Sequence, residues 1–126
     1  MHTPRTHTSG GGVALLYRSS MEITKVDICS FSPTSFEFLQ AKLKHKNSFV
    51  VINVIYRPPP KKTNNSTPTV FFSEFCKLVD EALLQDGQPL FVGDFNFHVD
   101  NDKNSYASQF LDILESYDLS QHVTSH

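Results

Sequence analysis

From Leu39 to Lys44 apolar and polar residues alternate, with Leu39, Ala41 and Leu43 on one side and Gln40, Lys42 and Lys44 on the other. A period of two predicts a half-buried antiparallel strand. Lys46-Asn47-Ser48 reads as a turn into residues 49–56, a run apolar on both faces and rich in β-branched side chains. That run predicts a central strand, and Arg57-Pro58-Pro59-Pro60 ends it because proline cannot donate to a ladder. Upstream, residues 13–17 form a short apolar run between Gly10-Gly11-Gly12 and Arg18-Ser19-Ser20, which predicts a buried strand. Residues 23–28 predict another, with Lys25 and Asp27 on a wet face. After an aperiodic loop over 61–67 the period changes. Phe71, Phe72, Phe75, Leu78, Val79, Ala82 and Leu83 recur at helical spacing, opposite Glu74, Lys77, Asp80 and Glu81. Pro68 suits the first turn of that helix and Gly87 its C-cap. A strand over 90–92 follows, then a Gly93–Asn96 corner and an acidic, asparagine-rich loop through Asn104. A second helix places Tyr106, Phe110, Ile113, Leu114 and Tyr117 on one face. Strands, a helix, then a strand ending in polar residues predict a mixed α/β layered domain.

Composition narrows this picture. At 126 residues, with 39% apolar and 19% charged residues, the chain has the makeup of one soluble globular domain. Residues 1–9 read as a flexible polar leader and 10–126 as the domain. A net charge of -2 and a pI near 6.3 provide no basic footprint for a dedicated duplex binder. Enzymes that hydrolyse nucleic acid need not be basic overall, so that class stays open. Cys29 and Cys76 stand far apart and outside any C-x-x-C spacing, which argues against zinc, excludes a disulfide framework and predicts reduced thiols in an intracellular protein. The overlapping sequons in Asn64-Asn65-Ser66-Thr67 read as chance. The longest apolar run is far too short to span a bilayer, and the N-terminus lacks a signal-peptide h-region. The expected location is therefore nuclear or cytoplasmic.

Two strand ends carry candidate chemistry. In Phe91-Val92-Gly93-Asp94-Phe95-Asn96-Phe97 an apolar strand runs into Gly93 and then into Asp94 and Asn96, two residues apart. If the backbone stays extended, those side chains leave on the same side. A carboxylate beside an amide suits the placing of a water and a phosphate oxygen; equally, Gly-Asp-x-Asn can merely turn the chain. In Tyr56-Arg57-Pro58-Pro59 the tyrosine and arginine can both hydrogen-bond a phosphate, arginine bidentately. The alternative there is a strand-end tyrosine packed on proline. Asn53 reads as a satisfied core polar group, His98 as a weak candidate facing the same cleft, and His45, His2 and His7 as solvated.

Taken in order, Gly10-Gly11-Gly12-Val13-Ala14-Leu15-Leu16-Tyr17-Arg18, Val54-Ile55-Tyr56-Arg57-Pro58-Pro59 and Val92-Gly93-Asp94-Phe95-Asn96 resemble the endonuclease/exonuclease/phosphatase superfamily. The nearest branch is the endonuclease domain of non-LTR (LINE-type, jockey-like) retrotransposon polyproteins, and Leu119-Ser120-Gln121-His122-Val123-Thr124 resembles the segment after its second helix. The resemblance implies a four-layer α/β sandwich, two mainly antiparallel sheets flanked by helices, with strand 90–92 in the second sheet. It implies metal-dependent hydrolysis of a phosphodiester in DNA, with Mg²⁺ or Mn²⁺ as cofactor. By the same resemblance Asp94 orients or deprotonates the attacking water, Asn96 contacts the scissile phosphate and helps hold the metal, and Tyr56 contacts the phosphate. Arg57 is expected to bind phosphate, and Asp94 and Asn96 to hold the metal. The family's first-strand asparagine, its metal-binding glutamate and its closing Ser-Asp-His motif have no match here; residues 1–9 contain no Glu, Asp or Asn, and His126 aligns before that motif. The expectation is therefore a partial domain lacking the first and last strands, with uncovered apolar surface and marginal stability. Its rivals are a catalytically dead remnant, a nucleic-acid-binding module and a phosphatase on a lipid or sugar phosphate.

Overall fold

A computed structural model describes residues 2–3, 13–27, 31–59, 67–96 and 105–121. The expectations for residues 4–12, Ile28, Cys29, the loop over 61–66, the acidic loop over 97–104, His98 and residues 122–126 lie outside the described residues. The chain divides into two units, Met1–Phe95 and Asn96–His126. The first holds β1 (His2–Thr3), β2 (Val13–Ala14), β3 (Glu22–Val26), β4 (Glu37–His45), β5 (Ser48–Tyr56), α1 (Pro68–Leu83) and β6 (Gln88–Asp94). The second holds α2 (Ser105–Ser116), in which Ala107 and Phe110 are buried while Tyr106 is exposed. The buried stripe of α2 therefore starts one position later than the sequence pattern placed it.

The main sheet runs β3-β4-β5-β6. β3, β4 and β5 pair antiparallel, and β6 pairs parallel with β5. Parallel neighbours need a crossover, and α1 supplies it. This corrects one expectation: strand 90–92 belongs to the same sheet as residues 49–56, not to a second one. The other sheet among the described residues is the two-stranded β1–β2 ribbon, which lies against β4 and β5. That ribbon takes His2 and Thr3 from the segment read as a leader. The run over 13–17 yields only two strand residues, because Leu16 is 94% exposed and Tyr17 is exposed too. A strand whose side chains find no cover has nothing to hold it.

α1 starts as its sequence requires. Thr67 is the N-cap, its side chain accepting from the Val70 N–H, and Pro68 occupies the first turn. The helix ends at Leu84 in ordinary right-handed geometry, so Gly87 is not its C-cap; with φ +127° it turns the chain into β6. The buried stripe Phe71, Phe75, Leu78, Val79 and Ala82 packs on one face of the sheet. Phe71 and Phe75 meet Phe36, Phe91 and Phe95 at centroid distances of 5.5–6.4 Å, the offset and edge contacts that aromatic cores favour. Under this helix β5 buries Val51, Asn53 and Ile55, as strand alternation demands. Asn53 accepts from Gln40 Nε2 at 2.7 Å and donates to the carbonyls of Val51 and Leu90, linking β4, β5 and β6. It is the satisfied core amide expected.

The opposite face is apolar and less covered. Val50, Ile52 and Val54 are half-buried there, and their β6 neighbours Leu90 and Val92 are exposed. The outer edge of β6 is a poor template for a further strand. The Asp94 carbonyl accepts from the Arg57 N–H and so points toward β5, which leaves Pro89, Phe91 and Gly93 pointing outward. Pro89 thus withholds a donor where an incoming strand would need one.

The β4–β5 turn shows one local conflict. Lys46 has φ +56°, whereas Asn47 does not share the positive φ. Glycine is the residue such a first turn position favours. Lys46→Gly is expected to raise stability by about 0.5–1 kcal/mol, the relieved left-handed cost outweighing the freedom added to the unfolded chain. A urea midpoint equal to or below that of the parent would refute this.

Candidate functional site

Because β5 and β6 run parallel, their carboxyl ends coincide. Ile55 pairs with Gly93 and Tyr56 with Asp94, while across β4 Tyr56 pairs with Glu37. Residues paired in register share a face, so Glu37, Tyr56 and Asp94 form a row across three adjacent strands, about 4.8 Å per step. The row lies on the face opposite α1. Asp94 is exposed, and Tyr56 and Glu37 are half-buried. In open α/β sheets the carboxyl ends of parallel strands are where ligands gather.

Gly93 makes this juxtaposition possible. Its φ is +145°, and a Cβ added there would overlap the Ile55 carbonyl oxygen and lie 2.8 Å from the carbonyl carbon. Only glycine lets β6 come this close to β5 one residue before the carboxylate.

Arg57 occupies the opposite side. Alternation continues one residue past the end of β5, so its side chain follows Val51, Asn53 and Ile55 to the α1 face and is 1% exposed. Its N–H donates to the Asp94 carbonyl at 2.9 Å and its Nη1 to the Phe95 carbonyl at 3.3 Å. The guanidinium lies 5.2 Å from the Phe71 ring centroid, a cation–π contact. Burial pulls its pKa below the ordinary arginine value by desolvation, and an arginine so shifted is still charged at neutral pH. The phosphate contact expected of Arg57 does not suit a guanidinium buried to this degree. The strand-period count places it in the core.

Asn96 also departs from expectation. β6 ends at Asp94, and Asn96 takes φ +57°. The extended path that would set its side chain beside Asp94 stops short of it. His45 is exposed at the far end of β4. An open groove of about 440 Å³, lined by residues that include Glu22, Leu43, Lys44 and Lys46, lies at that same far end, away from the row.

Family models, curated proteins and solved structures offer no match to this chain. The row itself is thus the ground for a functional reading. Among the described residues no three His, Cys, Asp or Glu side chains gather as a metal-binding group. The donors that do share the row, Glu37 and Asp94, are carboxylates. They stand two strand spacings apart with Tyr56 between them; carboxylates are the ligand type Mg²⁺ takes, one or two of them with waters and substrate phosphates completing its shell. Sequence reading passed over Glu37. The usable signal was its place just ahead of the alternating stretch, in register with the tyrosine at the end of the next strand. No helix is long and apolar enough to cross a membrane among the described residues.

Proposed function

We propose that this chain carries part of a metal-dependent phosphodiesterase site acting on DNA, of the endonuclease/exonuclease/phosphatase type. The observation that supports it is the parallel register that sets Tyr56 and Asp94 abreast at the ends of β5 and β6. Asp94, exposed, is the group to orient and deprotonate a water. Tyr56 beside it donates its hydroxyl to the phosphate as negative charge develops. Glu37 and Asp94 would hold the divalent ion, which supplies charge neutralisation at the phosphate. The resemblance adds Asn96 as a phosphate and metal contact, and a nick in DNA as the product.

A Mg²⁺-dependent plasmid-nicking assay tests this. Nicking by the parent chain should fall at least ~10²-fold in Asp94→Ala, the loss typical of removing a positioned general base. DNA retention without nicking would convert the reading to a binding module. Release of inorganic phosphate from an inositol phosphate would move it to the phosphatases. No turnover and no binding would mark a dead remnant.

A further inference from the structure

We propose that Arg57 is a positioning residue: it clasps the two carbonyls of Asp94 and Phe95 from inside the core and so fixes the direction of the Asp94 carboxylate on the outer face. The kinetic consequence of this clasp rests on the phosphodiesterase reading; its structural consequence does not.

Three contacts converge on one residue: main-chain N–H to Asp94 carbonyl at 2.9 Å, Nη1 to Phe95 carbonyl at 3.3 Å, and guanidinium over the Phe71 ring at 5.2 Å. They hold the two peptide units that follow Asp94 and Phe95, at the corner where β6 ends just after Gly93, whose φ is +145°. The β5–β6 pairing ends at Tyr56 and Asp94, so Arg57 is the next residue able to restrain the corner. Filling this space does not require an arginine. Desolvating a guanidinium is costly, and a methionine of similar length would pack on Phe71 without that cost. What methionine lacks is a donor for the Phe95 carbonyl. Lysine offers a donor but neither the planar fork nor the stacking surface. A carboxylate on a loose corner would sample several directions, and small misplacements of a reacting group are costly in rate.

The test compares the full chain with its Arg57→Met and Arg57→Lys variants. Amide hydrogen exchange by NMR is read at residue 57 and across β5–β6, and nicking kinetics are read with Mg²⁺. Exchange of the residue-57 amide should accelerate about tenfold in Arg57→Met while amides at Val51 and Asn53 keep their protection. The kcat should fall roughly 10- to 100-fold with KM within about twofold, and Arg57→Lys should recover part of that loss. A raised KM at unchanged kcat would mean direct phosphate contact and overturn the proposal. So would exchange that rises uniformly over the sheet, or failure of both variants to fold, since either makes Arg57 a plain core residue. If the parent chain does not nick DNA, the phosphodiesterase reading fails by itself, and exchange at residue 57 still decides the clasp.

Discussion

Gly93→Ala should unfold this protein or cost it more than about 3 kcal/mol, because two independent penalties fall on one methyl group. The first is conformational: φ +145° belongs to glycine. The second is steric and cannot be relieved locally. The new Cβ would overlap the Ile55 carbonyl oxygen and sit 2.8 and 2.9 Å from the carbonyl carbon and amide nitrogen of Ile55. All three are backbone atoms of β5, which is bonded on both sides, so moving them breaks one ladder or the other. Urea unfolding followed by circular dichroism measures the effect. Gly87→Ala, at φ +127° and with its Cβ 2.5 Å from the Phe49 carbonyl oxygen, carries both penalties with a less severe overlap and should cost less than Gly93→Ala. An unchanged midpoint in Gly93→Ala would show that β6 does not approach β5 as described.

Glu74→Ala is expected to cost about 2–3 kcal/mol, the largest loss for a side chain outside the apolar core. From the middle of α1 its carboxylate accepts from the Thr34 N–H at 2.8 Å and hydroxyl at 3.2 Å, and from the Ser35 N–H at 2.8 Å and hydroxyl at 2.6 Å. Ser35 is buried, and the next residue, Phe36, stacks edge-on against Phe71. Truncation would take the acceptor from the hydroxyl and amide of the buried Ser35, which costs more than the net worth of the bonds. Glu74→Gln should lie between, since its amide nitrogen would face donors. A double-mutant cycle with Ser35→Ala should show coupling of about 1 kcal/mol or more. Coupling near zero, with Glu74→Ala losing under about 0.5 kcal/mol, would reduce the clasp to a surface contact.

Residue pattern alone resolved what is local. The 3.6-residue repeat from Phe71 to Ala82 and the first-turn Pro68 located α1, and the alternation from Leu39 to Lys44 located β4, whereas the Thr67 N-cap emerged only from the structure. Which strand β6 pairs with could not be read, because a short apolar run carries no record of its neighbour. The Glu74 clasp was equally hidden: its partners lie 39 and 40 residues away and nothing near Glu74 signals them. Arg57 is a different case. Counting twos from Val51 already points it inward, and only the attraction of arginine for phosphate suggested otherwise. Of the site, Tyr56 and Asp94 were legible as polar strand ends, whereas Glu37 and the backbone turn at Asn96 required the register and the dihedral angles.

The parallel union of β5 and β6 also governs when the row comes into being. The β4–β5 hairpin closes through two residues and can form early, within microseconds for a hairpin of this kind. Arg57 and Phe95 are 38 residues apart, and α1 must be laid down between them before β6 has an edge to join. Loop-closure entropy is spent before that pairing returns anything. Until then the middle strand β5 stands as an edge, with its apolar residues and its ladder groups open to other chains. Tyr56 thus waits beside Glu37 for the last strand, and Asp94 arrives only as the sheet is completed.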